Sequence, residues 1–318
     1  MIQQIDLSLK EIKFAIKKLS TNDLIIKLQK VNFTKDAQNV KNCASYLLFS
    51  HQINILTEEN RLRLKSSNFC KFRFCPMCNW RRSMNVGREL FKACKKVEEL
   101  REVNYLFLTL TVKNPKMRDL KATVREMNKA FSRMSRTKAY KNAVLGHFKA
   151  LEILGDNTSA GEAHPHFHIL LIVQKSYFKS KNYLSQGKWL DMWKKALRIE
   201  YEPVIDIRRV KSKGNLTPLQ SAVLEVAKYS VKHTDLKNLS NDDFKKIIVQ
   251  TRKMRFYSTG GVLKEMIRIQ KIDDELINKD ELREPEWIEI EEHLYTWKDG
   301  DYRLDNIKNT TKSKDQKL

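Results

Sequence analysis

The run His164-Pro165-His166-Phe167-His168-Ile169-Leu170-Leu171-Ile172-Val173 packs three of the chain's seven histidines into five residues. From His166 onward it is apolar and rich in β-branched residues, the composition of a buried strand. Strand side chains alternate between faces, so His166 and His168 project together while Phe167 and Ile169 point the other way. Upstream, Phe148–Leu154 (FKALEIL) also reads as a strand. Residues 155–165 between them are rich in Gly, Asp, Asn and Ser, as a hairpin loop requires. Antiparallel pairing then brings Glu152 beside the histidines, with Glu152 opposite His168 as the natural register. Two imidazoles and a carboxylate on one face make a divalent-metal site. His164, at the loop end, is placed to orient the other two or to contact a ligand. Two half-buried histidines bonded to backbone groups are the plainer alternative.

Working outward, Val103–Val112 (VNYLFLTLTV) is a further strand, with Thr109 and Thr111 as its polar positions. Helical spacing appears at Leu9, Ile12, Ile16 and Leu19 within 8–30, from Arg81 to Leu100, at Leu120, Val124, Met127, Phe131 and Met134, and at Trp189, Trp193 and Leu197. Val204–Val210 reads as a strand and 240–254 as a helix, whereas 43–80 reads as irregular. Strands and helices that alternate irregularly around a hairpin favour an α+β fold, a central antiparallel sheet flanked by helices.

Thr217 is an N-cap, with Pro218 at the first helical position and Gln220 closing a capping box. At about 100° per residue, Glu225, Lys228, Tyr229 and Lys232 share one side of this helix. A tyrosine is a weak nucleophile near its ordinary pKa of about 10. Neighbouring cations and a metal-polarised phosphate would activate it, and a carboxylate one turn away can activate water for a later step. On its own, the pattern is equally that of a surface helix whose Glu225 pairs with Lys228 or Lys232.

Cys75-Pro76-Met77-Cys78 is a knuckle tight enough for two thiolates to hold one zinc. Cys70 lies close by, and Cys43 is the upstream candidate for a fourth ligand. Cys94 falls on an apolar helix face and reads as core. Arg73, Trp80, Arg81 and Arg82 interleave aromatic and cationic groups around the knuckle, a pattern suited to phosphate contacts and base stacking.

The 318 residues carry 61 Lys and Arg against 38 Asp and Glu, a net charge of +23. Residues 51–150 hold 23 basic and 8 acidic residues, whereas 273–305 hold 13 acids and 4 bases. Such a surplus calls for a polyanionic partner, with nucleic acid the first expectation. No uncharged apolar run nears the roughly 18 residues of a membrane span, and the N-terminal residues do not read as a signal peptide. An odd number of cysteines argues for thiols or metal ligands over a disulfide framework. The expectation is a cytoplasmic, bacterial protein without membrane association.

Taken in order, FCPMCNWRR at 74–82, FLTLTVKN at 107–114, ALEI at 150–153, HPHFHILL at 164–171, EVAKYSVK at 225–232 and Gly260-Gly261 followed by Lys264 resemble the Rep class 1 family. These are rolling-circle replication initiators of small Gram-positive plasmids, within the HUH endonuclease superfamily. The resemblance spans about Cys43 to Lys264. It implies an HUH-type sheet in a nuclease and strand-transferase domain over 101–265. A basic N-terminal region over 1–100 with the cysteine zinc cluster and a small acidic C-terminal extension over 266–318 with a disordered tail complete the expected division. Residues 1–40 and 273–305 match nothing in the family. The resemblance further implies that His166, His168 and Glu152 hold Mg²⁺ or Mn²⁺. Tyr229 would attack the double-strand origin, leaving a 5′-phosphotyrosyl link and a 3′-OH primer, with Glu225 activating water at termination. Lys228 or Lys232 would stabilise charge, and Thr109 and Thr111 would face DNA. From position and spacing alone, His164 is a further DNA contact and Cys43, Cys70, Cys75 and Cys78 are the Zn²⁺ ligands. The implied partners are origin DNA, single-stranded DNA, and the host helicase and DNA polymerase. Three rivals stand beside this reading. A conjugative relaxase places its tyrosine before the histidine strand. An HUH transposase tends to carry a second tyrosine where Glu225 stands. A non-enzymatic zinc-containing DNA-binding regulator explains the charge and the cysteines alone.

Overall fold

A computed structural model describes residues 7–155, 158–226, 236, 238–267, 276–279 and 282–310. Its contacts gather the chain into two units, Met1–Asn85 with Asp273–Leu318, and Val86–Ile272.

In the first unit, α1 (Leu7–Leu19), α2 (Asn22–Lys30) and α3 (Thr34–Asn42) precede β1 (Tyr46–Asn54) and β2 (Asn60–Ser67). The single helix expected over 8–30 is two. Ser20 and Thr21 donate their hydroxyls back to the carbonyls of Ile16 and Lys18, each at 2.7 Å, and so compete with helix propagation. The buried side of α1 also differs from the expected one. Ile12, Ile16 and Leu19 are about half exposed, while Phe14, Ala15 and Lys18 are buried. Phe14 packs edge-on against Phe49 of β1 and Trp80, an aromatic contact that outweighs the aliphatic stripe.

The segment 43–80, expected to be irregular, contains both β1 and β2. Their partners come from the other end of the chain: β8 (Trp287–Lys298) pairs antiparallel with β1, and β9 (Asp301–Asn309) with β8, in the order β2-β1-β8-β9. The acidic segment is therefore built into a sheet. Its carboxylates meet bases of the same unit, Glu284 with Arg61, and Glu289 and Glu292 with Lys65.

The second unit is a five-stranded antiparallel sheet in the order β6-β3-β5-β4-β7. It comprises β3 (Val103–Thr111), β4 (Gly146–Glu152), β5 (His166–Gln174), β6 (Ile205–Arg209) and β7 (Tyr257–Gly261). This is the expected α+β sheet, with the histidine strand at its centre. Ile169 to Val173 are fully buried, as a continuous apolar run covered on both faces should be. On one face lie α5 (Leu120–Ser135), whose five expected apolar positions are all buried, and α7 (Gln186–Leu197). Phe131 and Trp193 from these helices meet Phe167, with ring centroids 6.2 and 6.4 Å apart. Gly260 and Gly261 close β7 onto β4. A Cβ on Gly261, at φ 58°, would collide with the carbonyl of Leu145, and one on Gly260 with the ring of His147. Finally, α8 (Pro218–Val226) packs against β5 and β3. It starts with the expected capping box: Gln220 N–H donates to Thr217 Oγ1 at 3.2 Å, and Gln220 Oε1 accepts from Thr217 N–H at 2.8 Å.

Candidate active site and cysteine cluster

The β4–β5 register places Glu152 opposite His166 and Ala150 opposite His168. This is two residues from the expected pairing, because β4 ends at Glu152 and the chain bends before the loop. On the other side, β3 sets Thr109 opposite His168 and Thr111 opposite His166. Residues directly opposite share a face, so Glu152, His166, His168, Thr109 and Thr111 form one patch. Glu152 Oε2 lies 3.0 Å from His168 Nε2 and 3.3 Å from His166 Nε2, and the two Nε2 atoms are 3.0 Å apart.

Proton positions follow from the surroundings. His166 Nδ1 lies 2.8 Å from the carbonyl oxygen of His164. A carbonyl can only accept, so His166 Nδ1 donates to it, and Nε2 faces Glu152 and His168. Thr109 Oγ1, 3.3 Å from His168 Nδ1, supports the matching orientation of the second ring. His164 is itself held by Asn114, with Nδ1 at 2.7 Å from Oδ1. Phe107 stacks on His168 at a centroid distance of 5.4 Å. Burial works to push the Glu152 carboxyl up, but the hydrogen bonds of His166 and His168 outweigh it and hold the group at about 2. In metal-free protein a proton can bridge these close contacts, and a divalent ion can take that proton's place among the three donors. Gaps of about 3 Å are also those between adjacent donors on an octahedral ion with 2.0–2.1 Å bonds. The donor set fits a divalent ion, as the three groups' convergence indicates.

Glu225 is half-buried at the penultimate position of α8. Tyr229, Lys228 and Lys232 lie outside the described residues. Asn114 and Phe107 were not singled out from the sequence. Asn114 ends the FLTLTVKN stretch, and a polar residue just past a strand whose neighbours carry histidines was the available signal.

In the first unit, Cys43, Cys70, Cys75 and Cys78 converge as expected. Their Sγ atoms are 3.5 Å (Cys43–Cys78), 3.6 Å (Cys70–Cys78) and 3.7 Å (Cys43–Cys75) apart. Four sulfurs 2.3 Å from a tetrahedral zinc are about 3.8 Å from one another. The Cys43 thiol is held far below its ordinary range by hydrogen bonds from Cys70, Cys75 and Cys78, while burial pushes Cys75 and Cys78 well up. One thiolate forms readily and the others are penalised, a conflict that a bound divalent cation removes. Lys18 donates to the carbonyls of Lys41 and Cys43, tying α1 to the cluster. Cys94 stands apart and is fully buried, as expected.

Several residues expected to touch DNA have structural partners. Arg82, only 3% exposed, donates to the carbonyls of Lys71 and Phe72 and braces the cysteine loop. Arg81 is buried and donates through Nε to the carbonyl of Leu276 at 2.9 Å. Thr111 donates to the carbonyl of Val204 at 2.7 Å. These bonds commit guanidinium donors of both arginines to internal carbonyls. Trp80 and Arg73 are half-buried, and Trp80 packs on Phe14.

An antiparallel α+β sheet carrying a His-x-His–Glu triad, in a chain that also holds a four-cysteine cluster, is the setting in which relatives become informative. The family model described as "Replication protein" (Rep_1) matches residues 61–303, and the chain belongs to this family of plasmid replication proteins. Relatives named "Protein rep" include one from a Bacillus species, 35% identical across 76% of this chain and 83% of its own length. Another from Bacillus amyloliquefaciens is 34% identical across 77% and 80%, and one from Lentilactobacillus hilgardii is 36% identical across 80% and 82%. No solved structure matches the chain. Among the described residues, no helix is long and apolar enough to cross a membrane.

Proposed function

We propose that the protein is an HUH-type nickase that initiates and terminates rolling-circle plasmid replication at the double-strand origin, acting in the bacterial cytoplasm. The observation that carries the reading is the convergence of Glu152 Oε2, His166 Nε2 and His168 Nε2 within 3.3 Å on the β4–β5 face. His166, His168 and Glu152 would hold Mg²⁺ or Mn²⁺. When bound, the ion neutralises and polarises a phosphate oxygen. The phenol oxygen of Tyr229 attacks the scissile phosphorus, and the bond to the 3′ oxygen breaks. A 5′-phosphotyrosyl link remains on the protein, and the released 3′ oxygen takes up a proton to become the primer hydroxyl. Lys228 and Lys232, one residue before and three after Tyr229, supply positive charge beside the nucleophile. At termination Glu225 takes a proton from water, whose oxygen attacks the scissile phosphorus of the regenerated origin. The bond to the 3′ oxygen breaks and that oxygen takes up a proton, so hydrolysis rather than a second tyrosine ends the round. Host helicase and polymerase extend the primer. The cysteine cluster would hold a structural Zn²⁺.

The support is the family, the donor geometry, and the packing of α8 against the two strands that carry His166, His168 and Thr109. Incubating the protein with Mn²⁺ and a supercoiled plasmid bearing the cognate origin tests it. A nicked circle with protein attached at the 5′ end is expected. Tyr229→Phe should abolish both, and nicking at the wild-type rate by that variant would refute the nucleophile assignment.

A further inference from the structure

We infer that the first unit carries a second transition-metal site, formed by His51 of β1 with Glu291 and His293 of β8. The inference is independent of the nickase reading. His51 and Glu291 are direct partners in the β1–β8 ladder, and His293 lies two residues beyond Glu291 on the same strand. Glu291 Oε2 sits 3.3 Å from His51 Nδ1 and 2.8 Å from His293 Nε2. One carboxylate oxygen thus faces two imidazole nitrogens, the same donor set that β4 and β5 assemble in the other unit.

Hydrogen bonding around His51 points to a cation. Asn60 Nδ2 donates to the carbonyl of Glu58 at 3.4 Å, which directs its Oδ1 toward His51 Nε2, 3.1 Å away. An amide oxygen can only accept, so His51 carries its proton on Nε2. Its Nδ1 and His293 Nε2 both face one oxygen of Glu291, at 3.3 and 2.8 Å, where a cation can take the place of a bridging proton. Asn60 acts as the outer partner that fixes the tautomer of a ligating imidazole. The neighbouring carboxylates do not compete, because Glu289 and Glu292 both pair with Lys65.

The donors select the class of ion. Two imidazoles and a carboxylate suit a transition ion such as zinc, cobalt or manganese. Donors 2.0–2.1 Å from a tetrahedral ion lie about 3.3 Å apart, close to the separations found here. The side chains of His51 and His293 are 15% and 10% exposed, and that of Glu291 35%, so solvent can complete the shell from the carboxylate side. Such an ion would pin β1 to a strand 240 residues later in the chain.

Co²⁺ alone is a suitable probe, with the cysteine cluster kept zinc-loaded. Equilibrium dialysis of the full chain should show two Co²⁺ bound, falling to one in His51→Ala/His293→Ala and to one in Glu152→Ala/His166→Ala. Unchanged stoichiometry in His51→Ala/His293→Ala would overturn the inference. If that variant does not fold, wild-type crystals soaked in Co²⁺ decide by anomalous scattering. A peak among His51, Glu291 and His293 supports the site. Its absence, at a concentration that fills the Glu152–His166–His168 site or saturates free protein, overturns it.

Discussion

Glu152 on β4 stands directly opposite His166 on β5, and its carboxylate leans diagonally past Ala150 to reach His168. The methyl of Ala150, the cross-strand partner of His168, takes up little of the face, and a larger side chain there would contend with Glu152 for the same space. The triad is thus a property of register, which places one carboxylate against two imidazoles.

The charge of Glu152 has a measurable signature. Its folded pKa of about 2 lies below the ordinary value of 4.5. A depressed carboxyl contributes stability that is fully present above the unfolded pKa and is lost as pH falls toward the folded one. In metal-free protein, Glu152→Gln should therefore unfold at lower urea than wild type at pH 7, by roughly 1–3 kcal/mol. The gap should narrow as pH drops below 4.5. At pH 7 the same variant should lose Mn²⁺ binding measured by calorimetry. A gap that stays constant down to pH 3, or unimpaired Mn²⁺ binding, would contradict the geometry.

The five cysteines should fall into two chemical sets. With the metal in place, none should react quickly with an alkylating reagent. Removing the metal with a chelator takes away what ties Cys43, Cys70, Cys75 and Cys78 together, so their loops loosen and these four thiols become reactive. Cys94 should stay unlabelled until the protein unfolds, because burial pushes its thiol up to about 12 and only the thiolate reacts. Mass mapping of the labelled peptides checks this, and early labelling of Cys94 would contradict its placement.

Under the proposed mechanism, Glu225 is the position that separates hydrolytic termination from repeated strand transfer. Glu225→Ala should keep the first nick, with Tyr229 still linked to DNA, while the release of completed circles falls by 100-fold or more, within the range for losing a general base. Gel analysis of covalent adduct against released circles measures both steps. Equal loss of both would remove the water-activating role.

The histidine strand, the long amphipathic α5 and the capping box were legible because each signal lies within a few residues. The run from Ile169 to Val173 needs no knowledge of its neighbours to read as a buried strand. By contrast, β1 and β2 were missed: their Lys, Arg, Gln and Asn break up the alternation, and β1 is completed by β8, more than 230 residues away. For the same reason the acids of 284–292 looked like a detached tail until Arg61 and Lys65 were seen to receive them. The grouping of Glu152, His166 and His168 was legible, whereas the register of Glu152 was not, since nothing in the sequence marks where β4 gives way to the loop. The carbonyl partners of Arg81 and Arg82 were not legible, because composition reports charge and not the backbone groups that receive it.

Arg82 offers the sharpest test of that distinction. A phosphate-contacting arginine, when removed, reduces the salt dependence of DNA binding by about one unit of slope and leaves stability nearly unchanged. A buried arginine bonded to carbonyls does the reverse. Because Arg82 donates to Lys71 and Phe72, whose loop carries Cys70 and Cys75, Arg82→Met should lower unfolding stability by about 1–3 kcal/mol and speed metal loss to a chelator. The slope of log K against log salt for origin DNA should match wild type. A reduced slope with unaltered stability would return Arg82 to the DNA surface, and the loop would then need another brace.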